Sequence, residues 1–204
     1  MADISLATVQ RLPIYLDYLK NIAGKHEFIS ATAVAQSLGF GEVQVRKDLS
    51  MVSGAGKPRV GYDTETLIGQ LEECLGYNQL TQAVLVGAGR LGRALLQYDG
   101  FRHFGVEITA AFDSNDHALG LDSKTEILPM HQFSAYCQDH HIALGIITVG
   151  EGSAQEVCDQ MIASGIKAIW NFAPCKLQVP DGIMLQNENL ALSLAHLRNR
   201  LSHS

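Results

Sequence analysis

Residues 83–98 read AVLVGAGRLGRALLQY: four apolar residues, three glycines spaced G-x-G-x-x-G at Gly87, Gly89 and Gly92, then apolar residues at helical spacing. The run before the glycines reads as a buried strand, and RLGRALLQY reads as a helix. In that setting the glycines have distinct uses. Gly87 permits a tight turn, Gly89 lets the backbone approach a pyrophosphate, and Gly92 lets helix and strand pack closely. The free N–H groups that open the helix, with its dipole, favour the anion. Asp113 closes the next apolar run, AAFD, 21 residues after Gly92. A carboxylate there accepts hydrogen bonds from an adenosine ribose and repels a 2′-phosphate. No Lys or Arg follows until Lys124, so the pattern favours NAD(H) over NADP(H). Arg90, inside the loop, is the feature that would suit an additional phosphate, as in a CoA or NADP site. A purely structural turn is the alternative.

Beyond this loop, VEITAAF, IALGIITV and IKAIWNF read as further strands, and HQFSAYCQDH and SAQEVCDQMIAS as helices between them. Strands alternating with helices predict a parallel sheet covered by helices, a Rossmann domain over 80–187. The polar stretch Asp116–Pro129 offers no firm strand. At the end, Leu190, Leu194, Leu197 and Leu201 form a narrow apolar seam on a last helix, 188–204. That seam either packs on the chain's own sheet or forms a dimer contact.

Upstream, residues 1–79 have another character. Leu12, Tyr15, Leu16, Leu19 and Ile22 share a helical face, with Pro13 expected in an opening turn. Ser30 can cap a helix holding Val34 and Leu38. Gly39-Phe40-Gly41 breaks it, and GEVQVRKDLSMV resumes with Val45, Leu49 and Val52 on one side. SGAGKPRVGY suits a short two-stranded wing, and Asp63 caps a further helix closed by Gly76. Helix, tight turn, helix and wing make a winged helix-turn-helix, whose second helix reads bases with residues opposite its buried face. Gln44, Arg46 and Lys47 are the outward candidates: Gln can bond adenine in two places, while Arg and Lys suit guanine or phosphate. Lys57 and Arg59 of the wing could reach a backbone or the minor groove.

Composition narrows the classes further. With 204 residues, 47% of them hydrophobic, the chain can bury a real core. It has no run near the roughly 18 apolar residues of a membrane span. MADISLATVQ lacks the basic and apolar regions of an export signal, so a cytoplasmic protein is expected. Cys74, Cys137, Cys158 and Cys175 are widely spaced, so no redox pair or zinc set is visible, and buried thiols are expected. The net charge of −6 argues against a generic polyanion binder, yet residues 1–61 hold seven Lys or Arg against five Asp or Glu. A DNA site is therefore small and shaped. An enzyme would need a second region for substrate, and little chain remains for one. His103, His117, His131, His140, His141 and His196 form no recognisable catalytic constellation.

RLPIYLDYL, VQVRKDLS, VGYD, VLVGAGRLGRALLQYDGF, AAFD, AQEVCD and WNFAP together resemble the Rex family of redox-sensing repressors, over essentially the whole length. The resemblance implies a homodimer that binds palindromic operator DNA, releases it when NADH binds, and is opposed by NAD+. It implies a C-terminal helix exchanged between subunits. It implies that Gly87, Ala88, Gly89, Arg90, Leu91 and Gly92 hold the pyrophosphate and Asp113 the ribose. Val149 and Gly150 lie on the nicotinamide side, and Tyr98 occupies the family's tyrosine position. In the family an acid matching Asn189 exchanges partners between an arginine matching Arg11 and the tyrosine matching Tyr98. This chain departs from the pattern at Arg90 (usually Asn), Gly150 (usually Pro), Pro58-Arg59 (usually Arg-Gly) and Asn189 (usually Asp). The competing readings are a small NAD(P)-dependent oxidoreductase, or a CoA- or nucleotide-binding protein that does not bind DNA.

Overall fold

The computed structural model describes residues 5–122 and 124–201. The start of the N-terminal stretch read for an export signal, and the last three residues of the 188–204 segment, lie outside them. The chain divides into two compact units, Met1–Gln79 and Leu80–Ser204.

In the first unit, helix α1 spans Leu6–Ile22 and is capped by Ser5, whose hydroxyl accepts from the Thr8 N–H. Pro13 is thus inside the helix and not in its opening turn. A proline there removes one backbone hydrogen bond. Full burial of Leu12, Tyr15, Leu16 and Leu19 against the rest of the unit holds the helix through that break. A two-residue strand β1 (Phe28–Ile29) precedes α2 (Ala31–Leu38), which Ser30 caps through the Ala33 N–H. Gly39 closes α2 in the left-handed conformation, φ 70°. Helix α3 runs Glu42–Ser53, and Val45, Asp48 and Leu49 are its buried residues. After the wing, β2 (Tyr62–Asp63) pairs antiparallel with β1. Asp63 then caps α4 (Thr64–Leu75) through the Thr66 N–H. The wing is smaller than the sequence suggested: one antiparallel bridge, Lys57 to Gly61, closes its turn, and the two-stranded sheet lies at its base.

The second unit is a seven-stranded sheet with helices α5 (Arg90–Leu96), α6 (Phe133–Asp139), α7 (Glu151–Ala163) and α8 (Leu190–Leu201). Its strands are β3 (Thr81–Val86), β4 (Val106–Asp113), β5 (Gly120–Asp122), β6 (Thr125–Pro129), β7 (Leu144–Ile147), β8 (Ala168–Asn171) and β9 (Met184–Asn187). Their order is β5-β6-β4-β3-β7-β8-β9, parallel throughout except for the β5 edge. Alternation sorts the core. Val84, Val86, Ala110 and Phe112 face one way, packed with Phe133, Cys158 and Met161 of α6 and α7. Leu85, Ala111 and Ile146 face the other, under Leu95 and Leu96 of α5. Two of the strands, β5 and β6, occupy the stretch where no strand was expected. Thr125 and Ile127 are buried there on either side of the exposed Glu126. The other edge strand, β9, also escaped notice, because its residues are largely exposed.

Of the four cysteines only Cys137 and Cys158 are buried; Cys74 is exposed and Cys175 half-buried, and all are free thiols. Burial pushes the Cys137 thiol up to about 11. Among the described residues no helix is long and apolar enough to cross a membrane.

Candidate functional site

In the second unit the chain leaves β3 at Gly87, whose φ of 106° is open to glycine. A Cβ there would lie 2.8 Å from the Thr148 carbonyl carbon and the Val149 nitrogen. The Gly87 N–H donates to the Phe112 carbonyl at 2.8 Å, tying the turn to β4. Gly92 sits against the same turn, where a Cβ would meet the Gly87 carbonyl oxygen at 2.0 Å. Gly89 differs: its φ of −74° is ordinary, and a Cβ on it would meet nothing within 4 Å. No protein contact requires glycine at this position. The space over it belongs to a cleft of about 500 Å³.

Gly87, Gly89, Asp113, Val149 and Gly150 line this cleft together, with Met130, Ser153, Glu156 and Gln160. Asp113 reaches the loop directly: one carboxylate oxygen accepts from the Ala88 N–H at 2.7 Å, the other from the Asn115 N–H at 2.8 Å. Ala88 spends its N–H on Asp113, and its side chain is buried in the sheet face, so it offers the cleft little. Gly92 serves the packing of α5. Arg90 is exposed at the first position of α5, and Leu91 is half-buried behind it. Neither Arg90, Leu91 nor Tyr98 is brought to the cleft wall. Tyr98 lies after α5, with its ring edge-on to Phe101 at 5.0 Å. It lines a separate cavity of about 330 Å³ with Arg102, Glu107 and Lys124.

Two residues that hold the loop were not read from the sequence. The Thr148 hydroxyl donates to the Gly87 carbonyl at 2.7 Å. Arg93 donates to the Ala88 carbonyl at 3.1 Å, to Asp122 at 2.7 Å and to the Ala118 carbonyl at 3.0 Å. Apart from the local bond of Arg93 to Ala88, these contacts join residues 25 or more positions apart, and spacing from the glycines carries no signal of them.

The first unit holds the DNA-reading candidates. Arg46 and Lys47 are exposed on α3, and Arg46 pairs with Glu42 one turn earlier. A groove of about 630 Å³ runs between α3 and the wing, lined by Arg46, Ser50, Lys57, Pro58, Arg59 and the start of α2. The Lys57 ammonium lies over the Phe28 ring at 5.7 Å. Arg59 holds a left-handed φ of 64°, where the family pattern has glycine.

Beneath α3 lies a polar cluster that the sequence reading missed. Asp48 is 2% exposed and accepts four donors. Arg11 forks onto it through Nε at 2.8 Å and Nη2 at 2.9 Å; the Tyr15 hydroxyl donates at 3.0 Å and that of Thr8 at 3.1 Å. Burial alone would raise the Asp48 carboxyl, but the hydrogen bonds from Arg11, Tyr15 and Thr8 hold it below the usual carboxylate range. Burial, reinforced by donation to Asp48, pushes the Tyr15 phenol up to about 12. Arg11 is therefore engaged inside its own unit, a role absent from the partner exchange that the resemblance implied. Gln44 is exposed, as expected, and in addition its amide faces the Arg11 guanidinium. Asn189 accepts from the Leu192 N–H at 2.8 Å and so caps α8.

Residues 3–50 match the model described as "Putative DNA-binding protein N-terminus", and residues 78–175 match the one described as "CoA binding domain". A redox-sensing transcriptional repressor Rex of Bacteroides fragilis is 40% identical, over 96% of this chain and 90% of its own. The Rex of Porphyromonas gingivalis is 41% identical, over 95% and 90%. Among solved structures, RSP in complex with β-NAD+ and operator DNA matches with a TM-score of 0.90 at 32% identity, covering 100% of this chain and 94% of that one. RSP in complex with β-NADH matches at 0.86 and 31%, covering 100% and 96%. With this identity across nearly all of its length, the chain belongs to the Rex family of redox-sensing transcriptional repressors.

Proposed function

We propose that the protein is a cytoplasmic, homodimeric repressor that binds palindromic operator DNA through α3 and the wing, and that NADH in the Asp113 cleft releases it. The carrying observation is that a single chain combines this cleft with a winged helix and matches, end to end, a relative described with β-NAD+ and operator DNA. It acts as a ligand-gated binder and not as an enzyme. The cleft supplies a place for pyrophosphate at Gly89 and a ribose acceptor at Asp113. The domain division is 1–79 for DNA, 80–187 for nucleotide and 188–204 for dimerisation.

Dimerisation accounts for α8. Leu190, Leu194, Leu197 and Leu201 are each more than half exposed. The same unit carries an apolar groove of about 540 Å³, lined by Phe101, Phe104, Leu144, Ile146, Trp170 and Met184. Exchange of α8 between two copies would cover both surfaces. NADH then favours one of two dimer states, and only the other spaces the recognition helices for adjacent half-sites. A coupling of about 1–3 kcal/mol changes operator affinity roughly 5–150-fold, and operator weakens NADH binding by the same factor. Asn189 and Tyr98 are the family's switch positions. An amide at 189 lacks the charge of the usual acid, so switching falls toward the weak end of that range.

The test is an operator titration with NADH, with NAD+ and with neither, at one salt concentration because phosphate contacts make affinity salt-dependent. Weaker binding with NADH than with NAD+ is expected. Equal operator affinity at saturating NADH and NAD+ refutes redox sensing. Arg90 and the match to a CoA binding domain favour a second reading, a CoA or NADP(H) ligand; competition of each against NADH separates the two.

A further inference from the structure

We infer that Arg11 fixes the base preference of the recognition helix, by holding Gln44 so that it meets DNA as a hydrogen-bond donor only. The inference rests on the DNA-binding reading above. A free glutamine amide carries an acceptor and two donors, and recognises adenine by using one of each, on N6 and N7. Gln44 is one helical turn before the buried Asp48, on the same flank of α3. Its amide faces the Arg11 guanidinium, at 3.1 Å from Nε, 3.0 Å from Nη1 and 3.3 Å from Nη2. A guanidinium has five N–H donors and no acceptor, so the amide atom turned to it is the oxygen.

The arrangement of Arg11 makes this orientation fixed and not incidental. Nε and Nη2 are committed to the two oxygens of Asp48, and Nη2 also reaches the Thr8 hydroxyl at 3.3 Å. Nη1 is the arm left for Gln44. Asp48 is itself held by Tyr15 and Thr8, so the guanidinium plane cannot swing without breaking a bidentate pair on a buried carboxylate. With its oxygen turned to Arg11, the exposed Gln44 side chain presents its NH2. That group matches the N7 and O6 acceptors of guanine or the O4 of thymine, and it cannot complete the paired contact with adenine. Arg11 is a positioning residue here; Gln44 is the reader.

The experiment measures relative binding of the full-length protein to operator duplexes carrying each of the four bases at every half-site position, at fixed salt. Gln44→Ala identifies the position that residue 44 reads, as the one where discrimination flattens. There the parent protein should favour guanine or thymine over adenine by about 5- to 20-fold, on the scale of one good base contact. Gln44→Glu is a surface change that keeps an acceptor for Arg11 and turns a second acceptor outward. It should move the preference to a base offering an amino group, cytosine or adenine. In the double variant Arg11→Met, Asp48→Asn, the guanidinium and the carboxylate it neutralises leave together; adenine should then rise to within about 2-fold of guanine, the amide now being free to rotate. NADH titration and a thermal melt report folding of each variant. A merely structural Arg11 would lower affinity at all positions and leave this preference unmoved, which overturns the inference. So does an adenine preference in the parent, or a base profile that Gln44→Ala leaves intact. A parent protein that shows no sequence-specific DNA binding removes the proposed function as well, which separates that failure from this one.

Discussion

Replacing Gly89 with valine should abolish dinucleotide binding in a protein that remains folded, whereas the milder Gly92→Ala should damage the fold. A Cβ on Gly89 meets no atom within 4 Å, and its φ of −74° suits any residue. The substitution costs the protein at most part of an N-cap preference, about 1 kcal/mol or less. The valine methyl groups, however, stand in the cleft where a pyrophosphate must approach the backbone. Each charge-assisted hydrogen bond forfeited is worth about 1.5–3 kcal/mol. Losing two weakens binding at least about 100-fold. At Gly92 a Cβ would lie 2.0 Å from the Gly87 oxygen and 3.0 Å from the Thr148 hydroxyl. The colliding atom is backbone held by Thr148, so α5 must shift; overpacking of this kind costs about 1–3 kcal/mol or more and lowers the melting point by several degrees. Titration of NADH fluorescence and thermal melts of both variants check the pair. Unchanged NADH affinity in Gly89→Val would mean that the ligand does not cross this loop. Unfolding of the same variant would refute the claim that only a ligand needs glycine there.

Arg46→Ala and Lys47→Ala should each weaken operator binding by about 1–3 kcal/mol while leaving NADH affinity without DNA unchanged; if both bind like the parent in a gel-shift titration, another surface reads DNA. Arg59→Gly should raise the melting point of the N-terminal unit slightly, because a left-handed φ of 64° costs a side-chain-bearing residue about 1–2 kcal/mol more than glycine, yet weaken operator binding through the lost cation. A lower melting point would contradict the strain at this turn. The phenol of Tyr15, raised from about 10 to about 12, favours the folded state at every pH below 10 and loses that advantage as pH rises towards 12, by about 2–3 kcal/mol in all. Far-ultraviolet melts across that window should show a steeper fall for the parent than for Tyr15→Phe; parallel curves would rule the linkage out.

What was legible in the sequence was whatever local chemistry demands. The glycines of the 87–92 loop, the capping residues Ser30 and Asp63, and Asp113 at the end of its strand could each be placed from neighbours a few residues away. Thr148 could not, because its partner, the Gly87 carbonyl, reaches it only once the sheet has formed, and the same holds for the bonds of Arg93 to Asp122 and the Ala118 carbonyl. The edge strands β5 and β9, and β6 beside the first of them, failed for a related reason: they are short and partly solvated, and their composition resembles a loop. Pro13 misled by a sound rule, since burial of a whole helical face outweighs one absent hydrogen bond.

The recognition helix shows most sharply where residue patterns stop informing. In QVRKDLS the charged residues look alike, and polarity alone assigns all of them to solvent. Burial of Asp48 divides them. Once that carboxylate lies under α3 with Arg11 forked onto it, the residue one turn earlier is drawn to the same guanidinium, while Arg46 and Lys47 stay exposed. A buried ion pair gives little net stability, because desolvating both partners offsets most of their attraction. Removing one partner alone is costly, so the pair resists change all the same. Its value in this fold lies in orientation. It sets the rotation of α3 and the amide direction of Gln44 at once, and so links a residue of α1, which need not touch DNA, to the base that α3 selects.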